Sequence, residues 1–179
     1  MPTANVRFML LCLLVIMLPA CAQEPRSSPT LTPDAFAREW IEAFDSRDVD
    51  RILTYYTDDA FYEDVPTVEN GWGEPLRGHQ MIRESVAEGF EEMPDLGFEF
   101  VSASDAGDRL VVEWIMTGTH YRDYTGRFTI RGVSVIKLKG DKIASVSDYY
   151  DAYLLLSQLG MVAAPGAEQP KTSRDSAIR

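Results

Sequence analysis

The sequence predicts an α+β domain in which a curved antiparallel sheet wraps over helices that come before it in the chain. Three observations lead there. Apolar residues recur at three-to-four spacing early in the domain, which is the period of an amphipathic helix. The second half consists of β-rich runs divided by Gly/Asp turn signals. Helices first and an antiparallel meander afterwards is the order that packs helices on one face of a sheet. Such a sheet, folded over helices, leaves a closed-ended cavity, so the informative residues are those aimed between the two layers.

The elements follow in order. Thr32, Pro33 and Asp34 open a helix with a capping hydroxyl, a proline at the first helical position and an acid in the first turn. Phe36, Trp40, Ile41 and Phe44 form its apolar stripe through Asp45. Residues 48–56 read as a second short helix with Val49, Ile52, Leu53 and Tyr56 on one face. Residues 60–64 make a short strand before Pro66, and a loop follows with Asn70, Gly71, Trp72, Gly73 and Pro75. A helix runs from Gly78 to about Phe90 with Met81, Ile82 and Val86 inward. Residues 98–104, 109–120, 127–139 and 142–150 are strands, separated at 105–108, 124–126 and by the tight Gly140-Asp141 turn. A last short helix, 151–159, ends at Gly160.

The two ends of the chain read differently. Arg7 precedes an apolar run at residues 8–18, shorter than the roughly twenty residues a membrane crossing needs and suited to the core of a secretory signal. Leu18-Pro19-Ala20-Cys21 resembles the lipobox of bacterial lipoproteins. That resemblance implies cleavage before Cys21, lipidation of Cys21 and anchoring in the cell envelope; Ala22 in the next position implies the periplasmic face of the outer membrane if the cell is Gram-negative. The expected organisation is a signal peptide at 1–20, a tether at 21–33, the domain at 34–160 and a disordered tail at 161–179. With Cys12 removed, Cys21 stands alone and makes no internal disulfide, so the domain must be held by its core.

The formal net charge is −11, with the acids scattered rather than in blocks. Clustered Lys and Arg, which phosphate binding needs, are missing, so nucleic acid is excluded as the expected partner. Two histidines in the whole chain argue against a dedicated zinc site. Neither a phosphate loop nor a serine nucleophile elbow appears, and no cofactor is implied.

The stretches Tyr55-Tyr-Thr-Asp-Asp-Ala-Phe-Tyr-Glu-Asp-Val-Pro66, Leu76-Arg-Gly-His-Gln-Met-Ile82, Trp114-Ile-Met-Thr-Gly-Thr-His120, Arg131-Gly-Val-Ser-Val135 and Asp148-Tyr-Tyr-Asp151 carry a resemblance. Over residues 34–160 the chain resembles the nuclear transport factor 2-like superfamily, and within it the SnoaL-like polyketide cyclase and ester cyclase group. The resemblance implies a cone-shaped fold. It leaves function open, because the scaffold hosts enzymes, binders and assembly modules.

Asp148 is the first candidate for chemistry. Strand alternation sends Val146 and Tyr150 to the same face. An aspartate in an apolar cavity has its pKa raised and becomes a usable acid or base, and the resemblance places the acid/base residue of SnoaL-like cyclases at this position. The plain alternative is a carboxylate accepting hydrogen bonds from a tyrosine or a strand end. His120, by alternation on the side of Trp114, Met116 and Gly118, either polarises a carbonyl or sits at the rim. Tyr62 and Asp64 share one face of the early strand. Limonene epoxide hydrolases, which the chain also resembles there, place a tyrosine and an asparagine at these positions to hold the attacking water; here the second position is Asp64, and their Arg-x-Asp pair on the strand matching 113–119 is missing, which argues against epoxide opening. Trp114, Trp72, Phe61 and Tyr150 either line an apolar pocket or fill the core, and His79 is expected to be exposed.

Two functions fit. One is a cofactor-independent acid/base enzyme on a small apolar carbonyl compound, with Asp148 moving a proton and His120 or Tyr62 steadying the enolate. The other is a non-catalytic envelope module that binds a hydrophobic ligand or a partner. A homodimer through the convex sheet face is a further expectation.

Overall fold

The computed structural model describes residues 32–163. The expected signal peptide, Cys21 with its lipid, the tether up to residue 31 and the tail from residue 164 lie outside the described residues.

Helix α1 (Pro33–Asp45) starts where the sequence places it, with the Thr32 side chain accepting from the Ala35 N–H at 3.2 Å. Its stripe buries Phe36, Trp40 and Ile41, each worth roughly 1.5–3 kcal/mol of transfer from water. Helix α2 (Val49–Leu53), capped by Asp48, is shorter than expected. Tyr56, read as its last residue, instead opens strand β1 (Tyr56–Asp64). It pairs there with Ile143, a contact from far along the chain that overrides the local helical period. Arg47, between the two helices, has a positive φ of 58°. Its guanidinium donates to the carbonyl oxygens of Phe90 and Met93.

Asp64 ends β1 and caps a further short helix, α3 (Val65–Glu69), in a stretch expected to be loop. The two-residue strand β2 (Leu76–Arg77) then leads into helix α4 (Gly78–Glu92). The long strands β3 (Gly97–Asp105), β4 (Leu110–Tyr121), β5 (Tyr124–Lys139) and β6 (Lys142–Tyr150) form the expected antiparallel meander, and helix α5 (Ala152–Gln158) closes the domain.

Sheet order is β2-β1-β6-β5-β4-β3, curved and not closed into a barrel. Only β1 and β6 run parallel. That pairing puts the early strand beside the last one in the middle of the sheet. The β4–β5 turn lies at Arg122-Asp123, with Tyr121 opposite Tyr124 and Arg122 at φ 52°, two residues before the separator the sequence suggests. Inward residues of β4 and β5 alternate strictly, from Leu110 to Gly118 and from Phe128 to Ile136. They form one core with α1 and α4.

Candidate functional site

A cavity of about 660 Å³ lies between the helices and the concave face of the sheet. Its floor comes from the middle of the sheet. Trp114 of β4, Ser134 of β5, Asp148 and Tyr150 of β6, and Tyr62 and Asp64 of β1 all line it. Register brings them together: Ser134 lies opposite Asp148, Gly132 opposite both Trp114 and Tyr150, and Asp64 beside Asp148.

The glycine at 132 is required by the indole. A Cβ there would stand 2.1 Å from Trp114 Cη2, so only a bare backbone lets the ring lie across β5. In that position Trp114 Nε1–H donates to Ser134 Oγ at 2.8 Å. Ser134, fully buried, donates in turn to Asp148 Oδ1 at 2.5 Å. The other carboxylate oxygen, Oδ2, accepts from the Tyr62 hydroxyl at 2.9 Å. A crossed partner completes the set: the Tyr150 hydroxyl donates to Asp64 Oδ2 at 3.0 Å, while Asp64 Oδ1 caps α3 at the Thr67 N–H. The paired strands β1 and β6 thus each supply one tyrosine to the other strand's aspartate.

Burial pushes the Asp148 carboxyl up from 3.8 to about 6; the hydrogen bonds from Ser134 and Tyr62 hold it down, and the charge of Asp64 adds a little upward. The phenols move further from neutrality. Burial first, then the neighbouring Asp148 charge, raises Tyr62 well above 10, and burial first, then Asp64, raises Tyr150. Both hydroxyls therefore stay protonated donors at any physiological pH. Beneath this layer the buried Tyr56 hydroxyl and Trp40 Nε1 make no well-formed hydrogen bond, although the indole leans towards the phenol oxygen.

The walls are aromatic. Trp40, Phe44, Phe98, Trp114 and Tyr150 form a continuous series of ring contacts, with successive centroids 5.5, 5.6, 6.1 and 6.3 Å apart. Trp72, exposed by 57%, stands at the mouth.

His120 is not part of this arrangement, which corrects the alternation argument. The β4–β5 register shifts between Gly118 and His120, with an extra β5 residue near Gly126. Beyond that shift Tyr121 lines the cavity, while the His120 side chain is 47% exposed. Its Nδ1 lies 2.7 Å from Thr119 Oγ1 and 3.6 Å from Asp95 Oδ1. His79 is half-buried rather than exposed, with Nε2 3.2 Å from the Tyr56 carbonyl. Phe61 faces away from the cavity lining and lies under the Arg77 guanidinium. Ser134 is the residue that sequence reasoning missed. Its signal was a small hydroxyl at an inward position between Ile130 and Ile136. Among the described residues no group of three His, Cys, Asp or Glu is gathered so as to hold a metal ion.

Comparison with known proteins bears on this geometry. The SnoaL-like domain family matches residues 37–146. No curated protein matches the chain. Several solved structures share its fold. A hypothetical protein from Catenulispora acidiphila with a ketosteroid isomerase-like fold, in complex with trimethylamine, is 22% identical with a TM-score of 0.62, covering 70% of this chain and 92% of that one. TerC, co-crystallised with polyporic acid, is 19% identical with a TM-score of 0.62, covering 72% and 99%. A Shewanella putrefaciens protein provisionally named a SnoaL-like polyketide cyclase is 16% identical with a TM-score of 0.59, covering 71% and 84%.

Proposed function

Because this chain belongs to the SnoaL-like domain family, we propose that its cavity takes a small organic molecule and that Asp148 moves a proton on it. The observation that carries this reading is the Asp148 carboxylate itself. It faces an aromatic cavity, is fixed by two hydroxyl donors, and titrates at about 6, which is where a general base is both ionised and basic enough at neutral pH. The cavity volume lies within the range of drug-sized ligand sites. Two fold neighbours were crystallised with small molecules, which supports an occupant of that kind.

The reaction class is proton transfer α to a carbonyl in a small, mainly apolar compound, without a cofactor. The C–H bond breaks, its proton passes to the Asp148 carboxylate, and the electron pair moves to the carbonyl oxygen as an enolate. Tyr62, held protonated by burial, donates to the carboxylate at rest; once that carboxylate has taken up the proton, the hydroxyl is released to steady the enolate oxygen. Return of the proton to a different carbon, or attack of the enolate on an electrophile in the same molecule, completes an isomerisation or a cyclisation.

The test is hydrogen–deuterium exchange at the α-carbon of a panel of cyclic ketones and β-keto esters, followed by NMR in D₂O. The full chain should catalyse exchange with at least one compound, and Asp148→Asn should lose it while still binding that compound. Equal exchange by both proteins would sink the proposal. A second reading is favoured by His120 lying outside the cavity, which leaves Asp148 without a histidine partner at its floor: a pocket that binds without turnover. A compound that binds yet exchanges no proton in either protein supports that reading.

We also propose that the chain is exported and lipidated at Cys21, on the strength of residues 8–21 alone. Incorporation of labelled palmitate in the full chain and its loss in Cys21→Ser is the expected result. Incorporation that survives the substitution overturns it.

A further inference from the structure

We infer that the occupant of the cavity carries a cationic nitrogen, such as an ammonium group, on its apolar frame. This deepens the reading of the cavity as a small-molecule site and does not depend on Asp148 performing chemistry.

Three independent features of the lining point the same way. The first is charge. Glu74, Glu84 and Glu88, all three exposed, line the cavity together with Asp64 and Asp148 of its floor. Arg122 is the one Lys or Arg among the described lining residues. It is already occupied: its Nε lies 2.6 Å from Glu92 Oε1, and its backbone N–H donates to the Glu92 carbonyl. A ligand carboxylate would therefore meet several like charges and no free counter-charge, whereas an ammonium meets the reverse.

The second is the direction of the hydroxyl donors. Tyr62, Tyr150 and Ser134 all donate to aspartate oxygens. They are committed to anions that the protein itself supplies, so the floor has few donors left for an anion brought by a ligand. Carboxylates with such donors retain lone pairs, and those lone pairs suit N–H donors.

The third is the wall. The contiguous rings from Trp40 to Tyr150 line the cavity with aromatic surface, the kind of surface that attracts a desolvated cation. Trp72 adds an exposed indole at the entrance. Aromatic rings alone would accept any apolar molecule. Rings together with carboxylates and without a free cation distinguish an amine from its neutral and acidic counterparts.

The experiment compares three probes of one shape on the full chain: 4-phenylbutylammonium, 4-phenylbutan-1-ol and 4-phenylbutanoate, titrated at pH 7.5 in low salt by calorimetry. The ammonium should bind tightest and the carboxylate weakest, the two differing about tenfold or more. The preference should shrink severalfold in 0.5 M salt and in the Glu84→Gln/Glu88→Gln double variant. It should persist in Glu91→Gln, which removes an exposed acid of the same helix that does not line the cavity. Equal or tighter binding of the carboxylate, an unchanged preference in the double variant, or no binding of the ammonium overturns the inference. The two proposals fail separately. Proton exchange that survives Asp148→Asn leaves the ammonium preference standing, and a reversed preference leaves the exchange result standing.

Discussion

Replacing Asp148 by Asn should change how stability depends on pH, by an amount the site geometry sets. In the folded chain this carboxyl titrates at about 6 rather than 3.8, chiefly because burial disfavours its charge. The folded state thus holds the proton more tightly than the unfolded chain. The free energy of unfolding must then fall as pH rises from about 4 to about 6 and stay level above that, as far as this group is concerned. At about 1.36 kcal/mol per pH unit, the full effect is about 3 kcal/mol, of which about 2 kcal/mol falls between pH 4.5 and 7. Asparagine does not titrate, so the variant lacks this slope. Its stability relative to the wild type should therefore rise by about 2 kcal/mol across that interval, whatever its constant offset from the lost acceptor. Urea unfolding followed by tryptophan fluorescence at the two pH values measures this; the midpoint difference should move by about 1 M. A relative stability that is flat with pH, or that falls, refutes the claim that burial dominates the Asp148 environment.

Three further predictions follow from the same contacts. Gly132→Ala sets a methyl 2.1 Å from the Trp114 ring, so it should cost about 1–3 kcal/mol; thermal unfolding at the wild-type temperature would contradict the packing described. Ser134→Ala removes a donor to Asp148 and strands the Trp114 N–H. It should lose about 1–3 kcal/mol of stability and move the pH midpoint of α-proton exchange above about 6; a downward movement is the contrary result. Arg47→Ala loses two bonds to the carbonyls at the end of α4 in a residue held at φ 58°. Arg47→Gly, which loses the same bonds without the backbone strain, should be milder by up to about 1 kcal/mol in chemical denaturation; the reverse order would show that φ is not limiting there.

Much of the fold was legible because its signals are local. The cap at Thr32 and the apolar stripe of α1 are set within a few neighbouring residues, as are the Gly140 turn and the period-two burial of β4 and β5. That Tyr62 shares a face with Asp64, and Asp148 with Tyr150, followed from the same alternation. The failures have one cause. Tyr56 left its helix for a strand because Ile143 was there to pair with it, and His120 left the cavity because the β4–β5 register slips beside it. Ser134 was visible as a small polar residue on an apolar face, yet nothing in the sequence told which acid it would meet.

The sequence by itself determined the α+β order of elements, the acidic and aromatic composition of the domain, and the carboxylates and phenols that its inward strand faces carry. The tertiary structure alone decided that Tyr62 reaches Asp148 across 86 positions of chain and that Tyr150 returns the bond to Asp64. It also decided that burial raises one of these acids to about 6. The reason is physical: propensity and alternation act over a few residues, whereas strand register, β-bulges and desolvation depend on segments that meet only once the sheet has closed over its helices.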